Sequence, residues 1–213
     1  MALDVRNRKS DPHVLRIAGF LKRSSVNGPG IRSVVWVQGC PIRCEGCFNP
    51  ALWDENGGRV VAVHRLSSAI LSTAGIDGVT FSGGEPFFQA EALANLAEAI
   101  RSHELSVVTF SGYPYDLIAG SRNAAWIHLL DETDLLISGP YPAQQASNNN
   151  PGYPAGKEFH FLTGRIRPDT LNNGRTPATV EYTISADGTV LATGFPGPAL
   201  GDRIHALGIP RGF

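Results

Sequence analysis

Three cysteines, the only ones in the chain, lie within eight residues at Cys40, Cys44 and Cys47. They follow an apolar run, residues 31–37, that is typical of a buried strand, so the sequence places them on a loop at the C-terminal end of that strand. Open α/β sheets and α/β barrels carry their functional groups at this edge. Thiolates so close together in the chain can bind one metal centre, and the fold does not have to bring ligands from distant segments. The sequence therefore predicts a metal site on this loop.

The number of cysteines indicates what kind of metal site this is. A structural zinc ion takes four protein ligands, and the nearest histidine, His64, lies outside the loop. A 4Fe-4S cluster normally binds four cysteine thiolates. Three cysteines would leave one iron open to a substrate, much as catalytic zinc keeps an open position. We favour such a reactive cluster, and the alternative is a non-catalytic protein whose cysteines hold zinc or a passive cluster.

The spacing Cys-x3-Cys-x2-Cys resembles the cluster-binding signature of the radical S-adenosylmethionine (SAM) enzymes, in which the open iron binds the amino and carboxylate groups of SAM. The flanking residues are similar to those of the anaerobic ribonucleotide reductase activating proteins, a branch of the glycyl-radical enzyme activases. The resemblance covers about two-thirds of the chain, residues 26–165, and includes Gly46 before the third cysteine and Asn49 after it. Its motifs are the segments 27–32 (NGPGIR), 38–41 (QGCP) and 45–50 (EGCFNP).

A second motif, Gly83-Gly84-Glu85-Pro86, follows the short apolar run 78–82. By itself this is a turn between a strand and a helix, where the helix dipole favours an acidic residue. In the family that the chain resembles, the same segment holds the amino group of SAM. Two glycines let a ligand approach the backbone closely, and Glu85 can accept a charge-assisted hydrogen bond from an ammonium group.

The resemblance implies further residues for the cofactor site. Gly46 and Asn49 belong to it through the cysteine motif, and Thr109 and Ser111 are candidate contacts to the SAM ribose at the end of the next strand. No side chain is assigned a catalytic role beyond the cofactor site. The turn at residues 27–30, which precedes the strand leading to the cysteines, is expected to bring backbone close to the cluster or SAM.

Short apolar strands alternate with helices along the chain, which predicts parallel βαβ units. Each chemical motif directly follows a strand, which favours an open, partial parallel β/α barrel, the fold of the radical SAM type. Strand 14–20 is expected at the sheet edge, and a C-terminal β-hairpin is expected around the Asp-Gly turn at 187–188. The predicted strands are 14–20, 31–37, 78–82, 105–110, 135–138, 158–163, 179–184 and 189–193, and the predicted helices are 62–73, 91–102, 115–119 and 126–130.

The length and composition predict one domain over residues 1–213. It divides into an N-terminal segment with the edge strand (1–25), a cluster- and SAM-binding core (26–165) and a C-terminal extension (166–213). The 18 basic and 19 acidic residues balance each other, which argues against a nucleic-acid partner. We find no apolar run of membrane-spanning length and no signal peptide. Clustered cysteines, odd in number, favour a reducing, cytoplasmic location over a disulfide framework.

The resemblance implies an oxidoreductase in which flavodoxin or ferredoxin reduces the cluster and SAM is cleaved to methionine and a 5′-deoxyadenosyl radical. The radical would abstract hydrogen from a glycine of a partner glycyl-radical enzyme, most simply an anaerobic ribonucleotide reductase. The alternative is a radical SAM enzyme that modifies a small molecule or peptide directly. Two features support that alternative: the extension beyond Arg165, and the segment 156–158 (GKE), which follows the Asn-rich loop 143–156 and replaces the usual Gly-Ser-x-Asn-Gln.

Overall fold

A seven-stranded sheet forms the centre of the molecule, and a two-stranded hairpin follows it in the chain. The computed structural model describes residues 11–47, 49–141, 156–172, 180–184, 188 and 190–194. The sheet strands are β1 (Val14–Ser24), β2 (Arg32–Val37), β3 (Arg59–Ala62), β4 (Gly78–Gly83), β5 (Ser106–Phe110), β6 (Leu135–Ser138) and β7 (Glu158–Phe161), and the hairpin strands are β8 (Val180–Ile184) and β9 (Val190–Gly194). The α-helices are α1 (Val63–Leu71), α2 (Ala90–Arg101), α3 (Tyr115–Ala119) and α4 (Ala124–Asp131).

The strand order is β3-β1-β2-β4-β5-β6-β7. The central strands β2, β4, β5 and β6 are parallel to one another, whereas β1, β3 and β7 join the sheet through antiparallel pairs. The C-terminal ends of the four parallel strands therefore lie along one edge. Because β7 runs antiparallel to β6, the start of β7 lies at that edge as well. The predicted α/β class, parallel strands and C-terminal hairpin are confirmed.

The parallel strands are buried on both faces, which explains why they are short continuous apolar runs in the sequence. One face packs against the helices, with Val35, Phe81 and Val107 in the larger core cluster. The other face carries a smaller cluster in which Val108 and other strand residues pack against Ile166. Within the described residues, every helix is too short or too polar to cross a membrane.

One sequence-based expectation about the sheet is wrong. Strand β1 is not at the edge, because β3 pairs with its outer side. The sequence did not reveal β3 because it is only four residues long and half of it is exposed, so it has no clear periodicity. The Asn-rich loop, except for Gly156, and Asp187 of the hairpin turn lie outside the described residues.

The turn at residues 27–30 also lies elsewhere than expected. Gly28 and Gly30 have φ values of 122° and 80°, as a tight turn requires. The turn, however, precedes β2, while the cysteines follow it, so the two lie at opposite edges of the sheet. The expectation that this turn approaches the cluster or SAM is therefore wrong, because a strand carries its two ends to opposite edges of the sheet.

Arg32 joins three strands at the edge that carries this turn. The side chain is 1% exposed, and all five of its N–H groups donate to neutral oxygens. Its Nε atom donates to Thr80 Oγ1 at 2.9 Å, and Nη2 donates to the carbonyls of Val79 at 2.8 Å and Ser106 at 2.7 Å. The other nitrogen, Nη1, donates to Pro29 O and Ser106 Oγ, both at 3.1 Å. The guanidinium thus connects the starts of β2, β4 and β5.

We predict that Arg32→Lys lowers the free energy of unfolding by on the order of 3 kcal/mol, because an ammonium has three donors where the guanidinium has five and leaves buried acceptors unpaired. Urea denaturation of the reduced, metal-free protein measures this change. Arg23→Lys is the matched control, since Arg23 is exposed and donates to a single carbonyl, that of Ala74. Equal effects of the two substitutions would contradict the role given to Arg32.

Candidate metal and cofactor site

The segment after β4 packs directly against the start of the cysteine loop. The amide of Gly84 donates to Val37 O at 2.8 Å, and the amide of Glu85 donates to Gly39 O at 2.9 Å. A Cβ atom at position 84 would lie 2.3 Å from Gly39 O, and Gly83 has a φ of 100°. The two glycines therefore have a structural reason that the sequence did not show: they allow two loops of the protein itself to touch.

The cysteine loop is closed at its base by a buried amide side chain. Gln38 Nε2 donates to Asp54 O at 2.7 Å and to Ala51 O at 3.2 Å. The residues that follow the cysteines are therefore bonded to the residue that precedes the loop. Within the loop, the amide of Cys47 donates to Cys44 O at 3.1 Å. Gln38 thus fixes the two ends of the segment that carries the thiols.

One cavity at this edge collects most of the residues that the sequence predicted for the site. All three cysteines are free thiols and face this cavity. The other predicted residues that line it are Asn49, Gly83, Gly84, Glu85 and Ser111. Lining residues that the sequence did not single out are Ile42, Trp53, Ser82, Phe110, Gly112, Tyr141 and Lys157.

Three predicted residues lie outside this lining. Thr109 is fully buried, and its hydroxyl pairs with Thr133 Oγ1 at 2.9 Å on the helix side of the sheet, the side that Val107 also faces. Pro86 is buried as the first residue of a short 3-10 helix, Pro86–Gln89. Gly46 is exposed, with a φ of 69°, at the turn between the second and third cysteines.

Glu85 is the buried acid of the cavity. It is 0% exposed, and three donors from two loops point at its carboxylate. Oε1 accepts from Phe87 N at 3.0 Å and from Ser111 Oγ at 2.9 Å, and Oε2 accepts from Gly112 N at 2.8 Å. Burial raises the pKa of Glu85 to about 7, although these donors and Lys157 favour the ionised form. Glu85 is therefore both a cap for the 3-10 helix and a charge that faces the cavity.

Lys157 reaches the cavity from the start of β7. Its ammonium donates to Ser111 O at 2.8 Å and also to Gly139 O, so it connects the ends of β5 and β6. Burial lowers the pKa of Lys157 to about 8, while Glu85 and the three cysteines oppose that shift. The sequence marked the segment 156–158 only as a departure from the family's motif and did not assign Lys157 to the site. A lysine before a strand is common, and only the antiparallel pairing of β7 with β6 brings this one here.

The donor set of the cavity fits an iron–sulfur cluster. In the described part of the chain, no three His, Cys, Asp or Glu side chains converge closely enough to bind one metal ion. In a cubane cluster each thiolate binds a different iron, so the sulfur atoms are spread more widely. Three thiols around one cavity match that arrangement and leave the fourth iron to a ligand that is not a cysteine. Burial and Glu85 raise the pKa of Cys40 to about 12, so metal binding there must displace a proton.

Comparisons with known proteins agree with this donor set. Residues 26–155 match the family model described as a 4Fe-4S single cluster domain. The anaerobic ribonucleoside-triphosphate reductase-activating protein of Enterobacteria phage T4 is 30% identical over 122 residues, which are 54% of this chain and 74% of that relative. The pyruvate formate-lyase 1-activating enzyme of Escherichia coli K12 is 42% identical over 130 residues, and the pyruvate formate-lyase-activating enzyme of Clostridium pasteurianum is 33% identical over 129.

The site and these relatives define a class of protein, the radical SAM proteins, whose cofactors are a 4Fe-4S cluster and SAM. Within that class, the chain belongs to the 4Fe-4S single cluster domain family of glycyl-radical enzyme activases. The resemblance drawn from the cysteine motif is thereby confirmed. The chain spans half the length of the two pyruvate formate-lyase-activating relatives.

The raised pKa of Glu85 predicts how its contribution to stability depends on pH. Its pKa of about 7 in the folded protein exceeds the ordinary value of 4.5, so between these pH values the folded state holds a proton that the unfolded state has released. The contribution of Glu85 to stability therefore falls as the pH rises from about 4.5 to about 7, and it is constant above that. We expect the free energy of unfolding of the metal-free wild type, relative to Glu85→Gln, to decrease over this interval.

Urea denaturation at several pH values measures this difference. Glu98→Gln, on the exposed side of α2, is the matched control and should show no such trend. If the difference in free energy of unfolding between the wild type and Glu85→Gln stays constant or increases from pH 4.5 to about 7, Glu85 is ionised over that whole range.

Proposed function

We propose that this protein is a radical SAM oxidoreductase that cleaves SAM reductively and installs a glycyl radical on a partner enzyme. The observation that carries the proposal is the single cavity in which the three free thiols face Glu85 at the C-terminal ends of parallel strands. The strand order and the helices on one face support a partial, open β/α barrel of the radical SAM type. We further propose that residues 1–213 form one such domain.

We propose that Cys40, Cys44 and Cys47 bind the cluster. When bound, the cluster and SAM together supply the chemistry of reductive C–S cleavage, which gives methionine and a 5′-deoxyadenosyl radical. The protein's own share is to orient SAM and exclude water. Ile42, together with Phe110 of β5, supplies apolar walls for the second task.

Glu85 is suited to bind the ammonium group of SAM. An ionised carboxylate offers about four acceptor sites, and protein donors use three of them. One site remains for a ligand, and a charge-assisted bond in a buried site is among the stronger hydrogen bonds. Gly83, Gly84, Asn49 and Ser111 complete the proposed SAM contacts. We assign Gly46, Pro86 and Thr109 supporting positions, because the structure places their side chains or backbone outside the cavity lining.

We propose a glycyl-radical enzyme as the partner. The relatives named above are activating proteins of an anaerobic ribonucleoside-triphosphate reductase and of pyruvate formate-lyases. A glycine Cα is a sensible target because the resulting radical is stabilised by both flanking amide groups. Flavodoxin or ferredoxin is the proposed electron donor, and the cluster requires a reducing compartment such as the cytoplasm.

A second candidate function is the direct modification of a small molecule or peptide. It is favoured by the segment 156–158, which departs from the family's usual motif and brings Lys157 into the cavity. The C-terminal hairpin, a second departure, contacts the turn between β1 and β2. Glu181 Oε2 accepts from Ser24 Oγ at 2.7 Å and from Ser25 N at 3.2 Å. The extension therefore packs onto the proposed core at the edge opposite the cavity.

The cluster assignment is tested by replacing each cysteine separately with alanine. We expect wild-type protein, reconstituted without oxygen, to bind about four irons. Each variant is expected to lose 5′-deoxyadenosine formation, because no other cysteine exists to replace the lost ligand. Glu45→Ala, an exposed change on the same loop, is the control and should retain both properties. Full SAM cleavage by a cysteine variant with an intact cluster would show that the lost thiol is not a ligand.

The target of the radical is tested by mixing the reduced protein, SAM and a candidate glycyl-radical enzyme without oxygen. An activase leaves one persistent radical per partner site, and we expect an electron paramagnetic resonance doublet split by the remaining α-hydrogen. Deuteration of the partner glycine should collapse the doublet to a singlet. Repeated formation of 5′-deoxyadenosine with a peptide or metabolite, and no radical on any partner, would favour the second candidate function.

A further inference from the structure

Trp53 carries a polar group to which the proposed function gives no role. Its indole Nε1 is buried, and the described residues provide no acceptor for it. Three other side-chain nitrogens of the described residues share this condition, those of Arg16, Arg101 and Trp126, but of the four residues only Trp53 lines the cavity. An indole nitrogen is a donor only, and burying a donor without an acceptor costs free energy. An acceptor bound in the cavity would remove that cost.

The backbone of Trp53 is bonded to the first cysteine of the loop. Trp53 is the C-terminal cap of the 3-10 helix Pro50–Leu52. Its carbonyl accepts from the amide of Cys40 at 3.4 Å, and the carbonyl of the next residue, Asp54, accepts from Gln38 Nε2 at 2.7 Å. The indole ring is therefore held beside the segment that carries the thiols.

A cluster bound by Cys40, Cys44 and Cys47 would place sulfur acceptors in this cavity, both thiolates and sulfide ions. Hydrogen bonds to these sulfurs are one of the means by which a protein sets the reduction potential of an iron–sulfur cluster. The reduced cluster carries one more negative charge than the oxidised cluster, so an N–H donor stabilises the reduced form more. A donor at a cluster sulfur therefore raises the reduction potential.

Trp126 provides the matched comparison, because its indole Nε1 is also buried without an acceptor among the described residues. It lies in the larger core cluster, where its ring packs against Phe87 and Tyr113 with centroid distances of 5.5 Å and 4.8 Å. An unpaired indole nitrogen is therefore not by itself evidence for a ligand. What distinguishes Trp53 is its place in the wall of the cavity that holds the thiols.

We infer that the indole N–H group of Trp53 donates a hydrogen bond to a sulfur of the cluster and thereby raises the cluster's reduction potential. The inference rests on one part of the proposed function, the binding of a cluster by the three cysteines, and it requires neither SAM nor a partner enzyme. Trp53 itself transfers no proton and no electron. Its effect is to make the cluster easier for an external donor to reduce.

The test compares Trp53→Phe, which keeps an aromatic ring but removes the N–H group, with Trp126→Phe, which makes the same change in the core. Each protein is loaded with its cluster without oxygen and titrated potentiometrically in the absence of SAM, and electron paramagnetic resonance measures the reduced cluster. We expect Trp53→Phe to lower the equilibrium constant for reduction roughly tenfold, which is about 59 mV for a one-electron couple. Trp126→Phe should leave the potential unchanged.

A second measurement tests the hydrogen bond directly. Tryptophan labelled with nitrogen-15 in the indole ring is incorporated, and electron–nuclear double resonance detects nuclei that are coupled to the reduced cluster. We expect a nitrogen-15 coupling in the wild type and in Trp126→Phe, and none in Trp53→Phe. If Trp53→Phe does not load iron, persistence of the coupling in both Trp36→Phe and Trp126→Phe assigns it to Trp53, because the chain has three tryptophans.

The results separate this inference from its alternatives. Absence of the coupling in the wild type, or equal potentials for the wild type and Trp53→Phe, overturns the inference while the proposed function stands. Equal potentials together with weaker SAM binding by Trp53→Phe would assign the N–H group to SAM instead. If the reconstituted wild type binds no four-iron cluster, the proposed function is overturned, and the inference with it.

Discussion

The carboxylate of Glu85 is the interaction on which the site depends. It accepts hydrogen bonds from Phe87, Ser111 and Gly112, while its own amide donates to Gly39 at the base of the cysteine loop. The ends of β2, β4 and β5 are thus tied to one buried acid. Burying a carboxylate costs free energy unless its oxygens accept hydrogen bonds. This arrangement is therefore stable only when the three loops keep their relative positions. Glu85 also lines the cavity that these loops enclose.

The two edges of the sheet use buried polar groups for different purposes. At the N-terminal edge, Arg32 and Asp134 form hydrogen bonds that hold strands together. Asp134 accepts from Val107 N at 2.8 Å and from Thr163 Oγ1 at 2.6 Å, which links β5 to the segment after β7. At the C-terminal edge, the hydrogen bonds made by the described residues leave part of the capacity of Glu85 and Lys157 unused.

The cysteine loop shows how a metal centre is prepared in such a cavity. Its ends are fixed by Gln38 and by the contact between Gly84 and Gly39, and the thiols stand between them. Burial and the charge of Glu85 both favour the protonated form of Cys40. Iron binding would reverse this preference, because the positive charge of the iron ions stabilises the thiolate form of the cysteine. The negative charge of Glu85 is then available to a cationic ligand beside the cluster.

The sequence determined the parts of this protein that local signals encode. The spacing of the cysteines indicated the cluster, continuous apolar runs located β2, β4, β5 and β6, and the Asp-Gly turn indicated the hairpin. Helix α3 has the predicted bounds, 115–119, and the structure places Pro114 at its N-cap and Gly120 at its C-cap.

Tertiary structure decided which residues meet. The turn at 27–30 lies far from the cysteines, because a strand carries its two ends to opposite edges, and Thr109 faces the helices because successive strand residues alternate between faces. Lys157 enters the cavity only because β7 runs antiparallel to β6. These two strands are far apart in the chain, and the residues around Lys157 do not indicate which strand β7 pairs with. Spacing within a loop is a local property that the sequence carries, whereas strand direction and neighbour order depend on packing of the whole sheet.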